Sequence, residues 1–172
     1  MPLEWILRVT HCPGSLRVMT DFVDPEQHAP DLYRSLLNLD KNNSRSGLDA
    51  KIADLIRIRV SQINNCAYCI DAHSKDALAA GEPIERVVGT TAWRETTFYS
   101  AAEQACLAFA EALTLPPDHA RIEAARAAVA EELGDDGVVQ VVFAVATIKA
   151  WNALGVGLHY EAGSYEPSAA AA

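Results

Sequence analysis

"DLIRIRVSQINNCAYCIDAHSKDALAAGE", residues 54 to 82, carries both the fold and the chemistry of this chain. Its first half repeats apolar residues at helical spacing. With Ile52 just ahead of it, Leu55, Ile56, Val60 and Ile63 form one stripe. Asp49 precedes that stripe as an N-cap, and Asn64-Asn65 closes it. A second helix begins at or near Cys66 and runs to Gly81, a residue suited to the turn that ends helices. Helices on both sides of a CxxC argue for an all-α fold and against the strand–helix–strand setting of thioredoxin-like proteins.

The rest of the chain reads the same way. A helix is expected over about 29–40, with Leu32, Leu36 and Leu39 on one side, and "KNNSRSG" reads as a loop. A short helix should follow Pro83, and "AWRETTFYS" reads as a connection. Ser100 and Glu103 have capping-box spacing for a helix through Leu113, and "LPPD" breaks the chain. One helix is expected from Asp118 to Leu133, stopped by Gly134, and a last one over 136–158. Residues 1–24, with β-branched residues around Pro13-Gly14, read as a short hairpin or an irregular arm.

Composition narrows the class. The chain has 172 residues, half of them apolar, which suits one globular domain with a real core. Its formal net charge is −9, with no Lys/Arg cluster, so neither nucleic acid nor an anionic membrane is expected as a partner. The most apolar stretch, 138–158, contains Gln140, Lys149 and Asn152 and follows Asp135-Asp136. Those groups favour a buried helix over a membrane span. That helix is apolar nearly all round, so its surplus face meets either the core or another subunit. The start "MPLEWILRV" lacks the features of a signal peptide, and a cytoplasmic protein is expected.

The four cysteines are Cys12, Cys66, Cys69 and Cys106, too few for a disulfide-stapled fold. On a helix, positions 66, 69 and 73 are i, i+3 and i+7, which sets Cys66, Cys69 and His73 on one face. Cα atoms three apart lie roughly 5 Å from one another, inside the range a disulfide accepts. A helix start also favours the thiolate, the form that attacks peroxides or disulfides. His73 can hold a water or pass a proton. Two other readings stay open at this point. Cys66, Cys69 and His73 supply three zinc-type ligands, with Asp54 as a conceivable fourth, although no second CxxC or HxxxH is present. The cysteines could also be inert core thiols.

The quoted stretch closely resembles the alkyl hydroperoxidase D (AhpD) core family, within the carboxymuconolactone decarboxylase-like superfamily. "AWRET" at 92–96, "EALT" at 111–114 and "KAWNALGVG" at 149–157 resemble the same family further on. The resemblance runs from about Met19 to Leu158. It implies an AhpD-like helical bundle over 19–160, assembled as a trimer or hexamer. Residues 1–18 then form an extension, with Met19 an alternative start, and 161–172 a C-terminal tail. The family pattern has an acidic residue twelve before the first cysteine, then CxxC, then a histidine four after the second. Transferred here, Cys69 is the residue that peroxide attacks, Cys66 the resolving thiol, His73 part of a proton relay, and Asp54 the acid. The family usually has glutamate at the position of Asp54. Aspartate is shorter by roughly 1.5 Å, and a misplacement of that order can cost about 10²-fold in rate. Tyr68 stands between the cysteines, where a phenol cannot shuttle protons near neutral pH and is expected to pack or hydrogen-bond.

The resemblance therefore implies a thiol-dependent peroxidase that takes a hydroperoxide and a dithiol or protein reductant, with neither cofactor nor metal. Decarboxylation is not expected, because the decarboxylases of the superfamily lack the CxxC. The alternatives are a disulfide reductase or adaptor serving another peroxidase, and a non-enzymatic assembly module with a metal or inert thiols. Cys106 reads as a core thiol and Cys12 as a free surface thiol. His11, His28, His119 and His159 show no ligand spacing. Trp93 and Trp151 read as core or interface aromatics.

Overall fold

The computed structural model describes residues 22–167, and all regular structure among them is helical. The order is α1 (Pro25–His28), α2 (Pro30–Asn43), α3 (Ala50–Ile63), α4 (Ala67–Ala79), α5 (Ile84–Gly89), a 3-10 turn (Thr90–Glu95), α6 (Ala101–Thr114) and α7 (His119–Gly157). The expected arm over 1–24 and Cys12 lie almost wholly outside the described residues.

Local chemistry sets the helix starts. Asp49 accepts from the Lys51 backbone N–H at 2.8 Å and opens α3, the kind of cap that contributes about 1 kcal/mol. Ser100 and Glu103 form the expected reciprocal box at the start of α6. α1 was not expected, although Asp24 followed by Pro25 is a cap-plus-proline start, and Asp24 accepts from Glu26 N–H at 2.9 Å. α2 runs three residues into the expected loop, to Asn43. Ser44 N–H then closes on Asp40 O at 2.9 Å.

Gly134 interrupts α7 with φ 69° and ψ −176°, a conformation open to glycine, and the chain re-enters helix at once. Gly134 therefore stops the first of the two expected helices and the second follows at once, the two being the first and second arms of α7. The second arm packs in the centre, against α3 and α6. Its Val141, Ala144, Val145 and Ile148 meet Ile52, Ile56 and Val60 of α3 and Cys106, Phe109 and Ala110 of α6. Cys106 is fully buried there, as expected for a core thiol, and burial pushes its pKa to about 12. α7 is long and apolar enough to cross a membrane, yet its inner face is core in this fold. Its outer face keeps Val139, Val142 and Phe143 exposed.

Three buried polar joints lock the bundle. Glu111 of α6 accepts from Arg59 Nε at 2.7 Å, Trp93 Nε1 at 3.0 Å and Arg94 Nη1 at 2.5 Å. Burial would raise its pKa, but these hydrogen bonds outweigh that and hold it below the ordinary carboxylate value. Asn152 of α7 accepts from Asn64 Nδ2 at 2.9 Å and donates to Ser61 Oγ at 2.9 Å. Arg86 links Glu82 to Glu103.

The tail expected from 161 onward is docked over its described part. Lys75 Nζ donates to Tyr165 O at 2.7 Å, and Gly163 N–H donates to Asp71 Oδ2 at 2.9 Å. Tyr165 Oη donates to Asp76 Oδ1 at 2.6 Å. All three partners lie on α4, so residues 161–167 form a strap across that helix.

Candidate active site

The site begins at the corner between α3 and α4. Asn65 takes φ 54°, a left-handed conformation that asparagine tolerates better than most residues. Cys66 N–H donates to Ser61 O at 3.0 Å, closing the corner. Cys66 is thereby the N-cap of α4, and its Sγ accepts from the Cys69 backbone N–H at 3.4 Å. The two cysteines form a disulfide with Cα atoms 5.3 Å apart, close to the spacing helical geometry predicts.

Both cysteines are buried, but not equivalently. Cys69 lines a pocket of about 260 Å³ together with His73, Asp76, Tyr33, Trp151 and Tyr165. Cys66 faces inward against α7. A Cβ placed on Gly155 would lie 2.7 Å from Cys66 Sγ and 3.4 Å from Cys69 Sγ. Gly155 therefore lets α7 pass directly over the dithiol. Asn152, one turn earlier, pins that same stretch of α7 to the α3–α4 corner.

His73 reaches the pocket from the next turns of α4, as the i, i+3, i+7 spacing predicts. Its side chain keeps 22% of its surface exposed toward the pocket. Burial, reinforced by the positive charge of Arg57, pushes its pKa down to about 3, so the imidazole is neutral at physiological pH. Its nearest carboxylate is Asp76, with Oδ2 4.0 Å from His73 Nδ1. The same helical arithmetic reaches Asp76 at i+10 from Cys66, a signal the sequence reading passed over.

Asp54 is paired with Arg57, the cation whose charge also reaches His73. Asp54 Oδ1 accepts from Arg57 Nη1 at 2.9 Å, and the residue does not line the pocket. Burial raises its pKa, with Arg57 opposing. Arg57 also donates to Ser44 Oγ at 3.3 Å, tying α3 to the end of α2. Of the four residues singled out, Cys69 and His73 line one pocket, Cys66 is bonded to Cys69, and Asp54 is held in an ion pair with Arg57. Among the described residues, no three His, Cys, Asp or Glu side chains converge as a metal-binding group.

The pocket walls come from elements distant in sequence. Tyr68 packs edge-to-face on Tyr160 at 5.1 Å, and Tyr33 on Trp151 at 5.9 Å. Trp151 is thus a wall of the pocket, whereas Trp93 is buried in the Glu111 joint. Tyr33, Tyr68 and Tyr160 also border an adjoining outer pocket of about 780 Å³, which opens toward Phe22 and His159. Burial pushes the Tyr160 phenol up to about 12. The hydrogen bond to Asp76, with burial, does the same to Tyr165, so both are neutral donors.

Comparison with known proteins places this geometry. The sequence model described as the carboxymuconolactone decarboxylase family matches residues 30–112, from α2 to α6, and so contains Asp54, Cys66, Cys69 and His73. An uncharacterized protein of Bacillus subtilis, YdfG, is 32% identical over 146 residues, covering 85% of this chain and 99% of its own. A crystal structure from Agrobacterium tumefaciens superposes with a TM-score of 0.77 at 26% identity, covering 86% of this chain and 99% of that one. It is a protein of unknown function proposed to be the antioxidant defence protein AhpD. The debrominase Bmp8, solved with 2,3,4-tribromopyrrole, shares the fold with a TM-score of 0.67 at 19% identity, over 80% of this chain and 74% of its own. A helical bundle that sets a CxxC at the head of α4, matched by that family model and by a relative along nearly its whole length, makes this chain a member of the AhpD/carboxymuconolactone decarboxylase-like superfamily.

Proposed function

We propose that the protein is a thiol-dependent hydroperoxidase that cycles Cys66 and Cys69 between dithiol and disulfide. The observation that carries this reading is a disulfide-forming pair of which Cys69, with His73, opens to the pocket while Cys66 is walled in by α7. The Cys69 thiolate attacks the terminal oxygen of a hydroperoxide. The O–O bond breaks, and the alcohol leaves with one proton. Cys66 then displaces water from the Cys69 sulfenic acid and closes the disulfide. A dithiol reductant attacks the disulfide and leaves as its own disulfide, restoring both thiols. The net change is hydroperoxide plus dithiol to alcohol, water and disulfide.

His73 serves as the neutral acceptor and donor of the proton at the pocket. Asp54, the acid the family pattern assigns, acts one step back, by holding Arg57. Val139, Val142 and Phe143 support a homo-oligomer joined through the outer face of α7. Replacing Cys69 by serine should abolish dithiol-dependent hydroperoxide turnover, and mass mapping should find the Cys66–Cys69 disulfide after peroxide treatment of the parent. Full turnover by Cys69→Ser would falsify the mechanism.

One observation favours a second reading, a disulfide reductase or adaptor. An imidazole whose protonation is this unfavourable is a weak base for generating a thiolate. Stopped-flow oxidation by peroxide and by a disulfide substrate separates the two, because the adaptor reading requires the disulfide to react faster.

A further inference from the structure

His73 needs a partner at its other ring nitrogen. A histidine that takes a thiol proton on one nitrogen works best when a hydrogen-bond acceptor fixes its tautomer through the other. The family pattern points to Asp54 for this, but Asp54 is engaged by Arg57 and lies off the pocket wall. Asp76 is better placed. It lies one turn beyond His73 on the same face of α4, it lines the pocket, and its Oδ2 is 4.0 Å from Nδ1. Its other oxygen is held at 2.6 Å by the Tyr165 hydroxyl from the C-terminal strap. The strap is itself anchored by Lys75 on Tyr165 O and by Asp71 on the Gly163 N–H.

We propose that Asp76, fixed by Tyr165, is the positioning residue that orients His73 toward Cys69, and that the strap is therefore part of the active site. This deepens the peroxidase reading and rests on it only for the direction of the proton. Closing 4.0 Å to a charge-assisted bond of about 2.8 Å needs a movement of about 1.2 Å, which falls to the His73 ring because Tyr165 holds the Asp76 carboxylate. The other charged groups near the pocket are Arg57, whose positive charge opposes a proton on the ring, Asp40, which lines the pocket from α2, and Asp54, which is held by Arg57. With Nδ1–H turned to Asp76, Nε2 is left free to accept the Cys69 proton. The arrangement places the acid on the same helix as the cysteines and the histidine. It makes the chain near residue 165 a catalytic support rather than a trailing end.

The test uses nitrogen NMR of the full chain in its reduced state, together with single-turnover oxidation of Cys69 by cumene hydroperoxide. The parent should hold His73 as the Nδ1–H tautomer. Asp76→Asn keeps the size and can still accept from Tyr165, but should shift the tautomer toward Nε2–H. It should also slow Cys69 oxidation by about 10- to 100-fold in the limiting single-turnover rate, with the half-saturating hydroperoxide concentration unchanged. Tyr165→Phe should move both readouts the same way by a smaller factor, and Asp76→Glu should recover part of the rate. Asp54→Asn should leave the tautomer where it is in the parent. An unmoved tautomer in Asp76→Asn, or a tautomer that follows Asp54→Asn instead, overturns the proposal. If the parent fails to consume peroxide, the peroxidase reading falls, while the tautomer measurement still decides the role of Asp76.

Discussion

Replacing Gly155 by alanine tests the contact between α7 and the dithiol. Within a helix, alanine ordinarily stabilises relative to glycine by about 0.8–1 kcal/mol. At Gly155 the new methyl would stand 2.7 Å from Cys66 Sγ, about 1 Å inside a normal contact. Neither neighbour is a flexible chain end, since both are sulfur atoms of one buried disulfide. Overpacking of this kind costs about 1–3 kcal/mol. The two effects together leave Gly155→Ala about 0–2 kcal/mol less stable than the parent. Gly157→Ala is the control, because nothing lies within 4 Å of its added Cβ. Urea unfolding of both oxidised variants should separate them by about 1–3 kcal/mol, or several degrees in Tm. A second readout is kinetic. If the methyl displaces Cys66 by about 1 Å, closure of the disulfide on the Cys69 sulfenic acid should slow by about 10²-fold. A Gly155→Ala protein that gains stability as Gly157→Ala does, and closes its disulfide at the parent rate, refutes the reasoning.

Three further outcomes are expected. His73 has a folded pKa of about 3 against 6.5 unfolded, so between those values the unfolded chain binds a proton that the folded one refuses. Stability is then lost as pH falls below about 6.5, by up to about 2 kcal/mol at pH 5 from this residue alone, and His73→Gln should flatten that slope in denaturant titrations. Asn152→Ala strips Asn64 and Ser61 of their partner and should cost about 2–4 kcal/mol in the same assay, and a loss below half a kcal/mol would argue against the joint. Phe143→Asp on the outer face of α7 should lower the sedimenting mass if that face joins subunits, and an unchanged mass would remove it from the interface.

What could be read in the sequence was what is local in the chain. The Asp49 cap, the Ser100–Glu103 box, the stop at Gly134 and the shared face of Cys66, Cys69 and His73 all depend on spacings of a few residues. Asp76 obeys the same spacing, but the family pattern ends at the histidine and sets its acid at Asp54. Tyr165 was illegible for a different reason. Its bond to Asp76 spans 89 residues, and nothing in "GSYEPS" announces which helix it will meet. The same holds for Tyr33 and Trp151 at the pocket, 118 residues apart by subtraction of their numbers, and for Gly155 above the dithiol. Helical periodicity says which face of a helix is apolar, but not which neighbour it finds.

The Glu111 joint bears on how this sequence can drift. Its four members come from α3, the 3-10 turn and α6. Losing Arg59 or Trp93 leaves a buried carboxylate short of a partner, while losing Glu111 strands Arg59 against the core, so each first step is penalised by about 3–5 kcal/mol. A concerted exchange for apolar groups of similar volume could be neutral. Positions 59, 93, 94 and 111 should accordingly vary as a set among homologous sequences, and an alignment in which they change independently would show that the joint is more forgiving than its geometry implies. "AWRET" and "EALT" then owe their shared appearance to each other, not to the chemistry at Cys69.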